Sequence, residues 1–238
     1  MRDEYLIFGK PDIGNLDIEE IINTIRSGWI GTGPKTHLFE KQFAKYVGSK
    51  YAVGLNSCTA GLHLALDVIG IKPGDEVITT PITFCATVNV IENLQAIPVF
   101  VDINTDTMNI NPDLIQSAIT KNTRAIIPVH MAGRSCEMDA INKIAKENDL
   151  FVIGDAAHAI ETIYKGKKMG KVADISVFSF YANKNITTVE GGMIVCNNKE
   201  WEEKIRMRSL HGLSKNAWKR YSSSGYQPYE TIYPGFKY

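Results

Sequence analysis

Short apolar segments alternate with helical ones along most of this chain, and that alternation limits the fold more than any other feature. Strand-like segments fall at 51–55, 76–80, 98–101, 124–129, 150–154, 175–180 and 193–196. Helical periodicity fills most of the intervals, at 59–69, 83–94, 112–119 and 138–147. Strand and helix in alternation predict an α/β fold with a mainly parallel sheet covered by helices, because a parallel neighbour is reached only through a long crossover. Ala125-Ile126-Ile127 and Phe151-Val152-Ile153 are continuous apolar runs, as strands buried on both faces require.

The flanks read differently. Ile18, Ile21, Ile22 and Ile25 recur at helical spacing over 17–26 and the run stops at Ser27-Gly28. The turn-rich Trp29-Ile30-Gly31-Thr32-Gly33-Pro34 follows, and Leu38, Phe39, Phe43 and Tyr46 restore a helix up to Gly48. Asn111 as N-cap and Pro112 at the first helical position announce the helix at 112–119. At 238 residues the chain suits one large domain, 1–213, followed by a polar and aromatic excursion, 214–238, that contains Ser222-Ser223-Ser224-Gly225.

Charge and cysteine usage narrow the partners. Lys plus Arg and Asp plus Glu both number 26, so no excess positive field is available for a nucleic-acid backbone or an anionic membrane, and an anionic ligand must be held locally. Cys58, Cys85, Cys136 and Cys196 are scattered with no C-x-x-C pair, which argues against a disulfide framework and against a metal site. Met1-Arg2-Asp3-Glu4-Tyr5 lacks a signal-peptide core and no apolar run is long enough to span a bilayer, so a cytoplasmic protein is expected.

Three segments could carry chemistry. Asn56-Ser57-Cys58-Thr59-Ala60-Gly61 lies between a strand and a helix, where unpaired amides, the positive end of the helix dipole and the Ser57 and Thr59 hydroxyls suit a phosphate; plain N-capping explains the same residues. Gly154-Asp155-Ala156-Ala157-His158 puts a carboxylate at the carboxyl end of an apolar strand, where open α/β sheets place ligands. Asp155 there suits a protonated pyridine nitrogen or the cap of the next turn, and His158 suits a stacking or hydrogen-bonding role or a structural one. Ser179-Phe180-Tyr181-Ala182-Asn183-Lys184 follows another strand, so Lys184 sits in a turn at a strand end. Desolvated there, its amine would form a Schiff base with an aldehyde; solvated, it is an ordinary loop lysine. Gly31-Thr32-Gly33 has no strand before it and no third glycine in place, so no dinucleotide site is read.

Together these segments resemble the DegT/DnrJ/EryC1/StrS family of sugar aminotransferases. The resemblance runs through almost the whole chain: Ser27-Gly28-Trp29, Thr32-Gly33-Pro34, Phe39-Glu40, Asn56-Ser57-Cys58-Thr59-Ala60, Lys72-Pro73-Gly74-Asp75-Glu76-Val77, Asp155-Ala156-Ala157-His158, Ser179-Phe180 with Lys184, and Glu190-Gly191-Gly192. It implies the large domain of the pyridoxal-phosphate (PLP) transferase fold of the aspartate-aminotransferase type. It makes Lys184 the residue that bonds the cofactor and shuttles protons, pairs Asp155 with the pyridine nitrogen, gives the phosphate to Thr59, Ala60 and Ser179, and stacks Phe84 on the ring, with His158 beside the same site. The amino group would pass from glutamate to a nucleotide-linked keto sugar, for cell-surface polysaccharide or lipopolysaccharide biosynthesis, in a homodimer. His211-Gly212-Leu213, Ala217-Trp218 and Tyr233-Pro234-Gly235-Phe236-Lys237-Tyr238 are similar to members that aminate UDP-4-keto sugars, such as the UDP-4-amino-4-deoxy-L-arabinose type. A lysine at 184, where the family's dehydratase branch carries histidine, implies the aminotransferase branch.

Val189 stands where the family commonly has glycine, and Cys58 does likewise. Family members also continue past the segment matching Lys237-Tyr238 into a smaller C-terminal domain, so a truncated chain is expected here. Three functions follow: an aminotransferase, alone or completed by a separately encoded C-terminal piece; an inactive remnant or binding partner that keeps the large domain; and an α/β binding domain whose Lys184 never meets an aldehyde.

Overall fold

Ala125 and Ile126 are consecutive on one strand and both wholly buried, which requires a packed layer on each side of the sheet. The computed structural model describes residue 5, residues 9–213 and residues 230–238. In chain order the elements are α1 (Asn15–Arg26), α2 (Pro34–Val47), β1 (Tyr51–Leu55), α3 (Cys58–Ile69), β2 (Glu76–Thr79), α4 (Ala86–Asn93), β3 (Ile97–Phe100), α5 (Pro112–Ala118) and β4 (Thr123–Ile126). They continue as α6 (Met138–Glu147), β5 (Phe151–Asp155), a small hairpin of β6 (Ile163–Tyr164) and β7 (Lys167–Lys168), β8 (Ile175–Ser179), β9 (Gly192–Cys196) and α7 (Lys199–Ser209).

Seven strands form one sheet in the order β1-β9-β8-β5-β4-β2-β3. The pairs β2–β3, β2–β4, β4–β5 and β5–β8 are parallel, as the alternation predicts. β9 is antiparallel to both β8 and β1, because the chain folds back over residues 180–191 instead of crossing over through a helix. Pro98, which cannot donate to a ladder, is accommodated on the edge strand β3.

Alternate residues of each strand feed opposite layers. Ile126, Val152, Phe178, Met193 and Val195 join Phe43, Val47, Met138 and Ile141 on one face. Ala125, Ile153, Val177 and Ile194 join Leu62, Leu66, Ile91 and Ile205 on the other. Burial of one such side chain contributes roughly 1.5–3 kcal/mol, so the two layers together hold the sheet between them.

Several boundaries move. The helix read over 83–94 starts at Ala86, with Thr83, Phe84 and Cys85 forming the approach to it, and the strand read over 124–129 ends at Ile126. α7 is unforeseen, although Asn198 caps it by accepting from the Glu200 N–H at 2.8 Å. α1 has no buried residue, and Ile18 and Ile25 of its apolar stripe are 47% and 63% exposed.

Of the 214–238 excursion, residues 214–229, with Ala217-Trp218 and Ser222-Ser223-Ser224-Gly225, lie outside the described residues. Residues 230–238 run back along α7 and α3: the Phe236 N–H donates to Arg208 O at 2.6 Å, and Tyr238 Oη lies 3.2 Å from His63 Nδ1. Gly212 and Gly235 face each other here, and a Cβ at Gly212 would sit 1.6 Å from Tyr233 O. The two aromatic-glycine motifs are therefore packing partners.

Candidate active site

The carboxyl ends of β5 and β8 and the amino end of α3 open onto one cavity of about 540 Å³. Thr59, Phe84, Asp155, His158, Ser179 and Lys184 line it. Ala60 does not: it is buried, and its N–H donates to Ser57 Oγ at 3.1 Å, which makes Ser57 the N-cap of α3. That cap leaves other first-turn amides of α3 without intrahelical partners, so capping by Ser57 does not use up the donors at this end.

Gly192, the first residue of β9, seats this helix end. A Cβ there would lie 2.3 Å from the Ser57 carbonyl carbon and 2.6 Å from the Cys58 nitrogen, so only glycine permits the approach. The loop between β8 and β9 is tied at its other end by the Phe180 N–H to Gly191 O at 2.9 Å and the Thr188 N–H to Phe180 O at 2.9 Å. Lys184 lies in a turn of that loop, closed by its N–H donating to Tyr181 O at 3.0 Å. The side chain is half-buried, and its amine forms no hydrogen bond or ion pair among the described residues.

Asp155 ends β5 and is 6% exposed. Burial pushes its carboxyl above the ordinary range, while hydrogen bonds from Thr87 and the Ala157 N–H, then the charges of His158 and Lys184, pull it back. Thr87 Oγ1 donates to Asp155 Oδ2 at 2.8 Å, and the Ala157 N–H reaches Oδ1 at 3.2 Å. His158 stands exposed at the cavity mouth; desolvation, then the Lys184 charge, push its imidazole down, against Asp155. Phe84 is 77% exposed on the rim, and Ser179 Oγ accepts the Tyr181 N–H at 3.3 Å.

Sequence reasoning missed further lining residues. Thr87 is wholly buried, and only its i, i+4 spacing from Thr83 could have drawn notice. Cys58, already within the segment singled out at 56–61, lines the cavity too, its thiol pushed up by burial and then by the Asp155 charge. His130 is buried, its Nδ1 accepts the Cys136 N–H at 3.2 Å, and burial holds its pKa down at about 4. A second cavity of about 540 Å³ adjoins the first, shares His158, Asn183 and Lys184 with it, and is bounded by Glu161 and Thr162. Among the described residues no His, Cys, Asp and Glu side chains cluster as a metal site, and no helix is long and apolar enough to cross a membrane.

The sequence profile of the DegT/DnrJ/EryC1/StrS aminotransferase family matches residues 11–238. The protein MJ1066 of Methanocaldococcus jannaschii, named as uncharacterized, is 57% identical over 238 residues, covering all of this chain and 62% of its own length. SpsC of Bacillus subtilis, a spore coat polysaccharide biosynthesis protein, is 51% identical over 236 residues, 99% of this chain and 61% of SpsC. The putative sugar aminotransferase Spr1654 of Streptococcus pneumoniae, in its PMP form, matches with a TM-score of 0.90 at 37% identity over 98% of this chain and 62% of that one, and its PLP form matches at 0.89. This chain thus spans about 62% of the length of these relatives, and its sheet and covering helices have the large-domain fold of the PLP-dependent aminotransferases.

Proposed function

Because the chain belongs to the DegT/DnrJ/EryC1/StrS aminotransferase family, we propose that it moves an amino group from glutamate to a nucleotide-linked keto sugar, a UDP-4-keto sugar, with PLP as its cofactor. The observation that carries this reading is the meeting of Lys184, Asp155, Ser179 and the first turn of α3 on one cavity.

The donors and acceptors there fit a molecule with a basic ring nitrogen at one end and a phosphate at the other. Asp155 is a buried carboxylate whose neighbours on both oxygens are neutral donors, so a cation placed against it is stabilised. First-turn amides of α3, the Thr59 hydroxyl and Ser179 Oγ are neutral donors suited to a phosphate, with Ala60 beside them at the helix start. Phe84 offers an aromatic face, and His158 a ring nitrogen, at the edge of the same space.

When bound, PLP supplies an electrophilic carbonyl carbon and an electron-accepting ring. Lys184 Nζ would be the nucleophile that holds the cofactor and the base that carries protons beside it. Asp155 keeps a proton on the ring nitrogen by its negative charge. Ser179 and the α3 amides would hold the phosphate. The adjoining cavity, reached past Lys184 and His158, gives room for the acceptor. Two half-reactions in one cavity imply ping-pong kinetics.

The protein acts in the cytoplasm as a homodimer, in the making of cell-surface polysaccharide or lipopolysaccharide. The name of SpsC, a polysaccharide biosynthesis protein, supports that setting. Borohydride reduction of the PLP-treated protein, followed by peptide mapping, tests the assignment: the pyridoxyl label is expected on Lys184 alone, and a label elsewhere or none would contradict it.

A further inference from the structure

Asp155 is held from one side by a row of two hydroxyls. Thr87 Oγ1 lies 2.8 Å from Asp155 Oδ2 and 2.8 Å from Thr83 Oγ1. A hydroxyl has one proton and an ionised carboxylate can only accept, so the proton of Thr87 goes to Asp155 and Thr87 must in turn accept from Thr83. The row therefore runs in one direction, Thr83 to Thr87 to Asp155, and each bond polarises the next. With the Ala157 N–H at 3.2 Å on Oδ1, both carboxylate oxygens are fixed and the plane of the group is set.

The placement is specific. Thr87 is wholly buried, is the second residue of α4, and reaches across to a residue 68 positions away.

Resting on the PLP reading above, we propose that Thr87 is a positioning residue of this site, aiming the Asp155 carboxylate at the cofactor's ring nitrogen and keeping it ionised, with Thr83 orienting Thr87. The other titratable groups that act on Asp155 are Cys58 at the start of α3, Cys136 behind β5, His158 and Lys184. Burial pushes both thiols up, so near neutrality they carry no charge and the hydroxyl row is the main short-range support of the carboxylate.

The test compares the full chain with Thr87→Val, Thr87→Ser and Thr83→Val by two readouts. In the PLP-treated protein, Thr87→Val is expected to weaken PLP affinity by roughly tenfold or more, the scale of one hydrogen bond to a charged group, and to move the pH midpoint of the visible absorption band. Thr87→Ser restores both, and Thr83→Val gives a smaller loss in the same direction. In the protein without PLP, carbon-13 NMR of the aspartate carboxyls follows Asp155 directly, and it titrates at higher pH in Thr87→Val than in the parent. Unchanged affinity, band and Asp155 titration in Thr87→Val would overturn the proposal, as would a Thr87→Ser protein no better than Thr87→Val. If the parent shows no lysine-linked band, the PLP reading fails by itself, while the Asp155 titration still decides whether Thr87 controls the carboxylate.

Discussion

Gly192 packs against the backbone of Ser57 so closely that a Cβ would come within 2.3 Å of the Ser57 carbonyl carbon. The contact joins the end of the Lys184 loop to the N-cap of α3, and so sets lysine and helix terminus in one frame. Gly192→Ala has to push two backbones apart. The expected loss is about 2 kcal/mol of stability, with weakened PLP binding, read from urea denaturation and from titration with the cofactor.

Glu40 ties the α2 helix to the sheet. It is 4% exposed, accepts the Gly54 N–H at 2.9 Å, and is gripped by Arg206 of α7 at 3.1 Å on Oε1 and 3.0 Å on Oε2. Glu40→Ala leaves the Gly54 amide without its acceptor and strips the guanidinium of one carboxylate, although Arg206 keeps Glu202 and the Ala52 carbonyl. Because Arg206 is 37% exposed, water recovers part of its charge, and a loss of about 2–3 kcal/mol is expected. Glu40→Gln, which keeps an acceptor, loses less in the same denaturation assay.

The acid limb of stability carries a component from His130. Its folded pKa is held down at about 4 by burial, below the ordinary value of 6.5. Below about pH 6.5 the unfolded chain takes up this proton while the folded chain does not, so stability falls as the pH drops, by about 3 kcal/mol on reaching pH 4. His130→Asn, which can still accept the Cys136 N–H, removes that component. The stability gap between parent and variant should narrow by about that amount between pH 7 and pH 4.

Much of this architecture was legible, and the limits of legibility have physical causes. Asn111-Pro112 and Ser57 announced helix starts because caps act within three residues, and the apolar runs announced buried strands. The reversed direction of β9 was not readable, since the length of 180–191 permits either a fold-back or a crossover. α7 escaped because only Trp201 and Ile205 mark its inner face. The hairpin of β6 and β7 turns on Lys165-Gly166, a weaker signal than Asn-Gly, although both residues take positive φ of 46° and 80°. At the site, Asp155, Ser179 and Lys184 could be singled out as residues at strand ends. Thr87 could not, because its partner is 68 residues distant.

Val189 has a backbone cost that a glycine there would avoid. Its φ is 69°, in the left-handed region where a β-branched side chain is strained, and its side chain is exposed. Val189→Gly is expected to raise stability by up to about 1 kcal/mol, the relieved strain being partly offset by the greater freedom of glycine in the unfolded chain. Thermal denaturation of the pair reads it.

We propose that Lys184 and the groups around it make a site at which glutamate gives up its amino group. The most direct measurement is the absorption spectrum of the purified chain with added PLP, before and after glutamate, beside Lys184→Ala. The expected result is a visible band in the parent that glutamate bleaches, with no such band and no such bleaching in Lys184→Ala. Absence of the band in the parent, or identical behaviour of parent and variant, would contradict the claim.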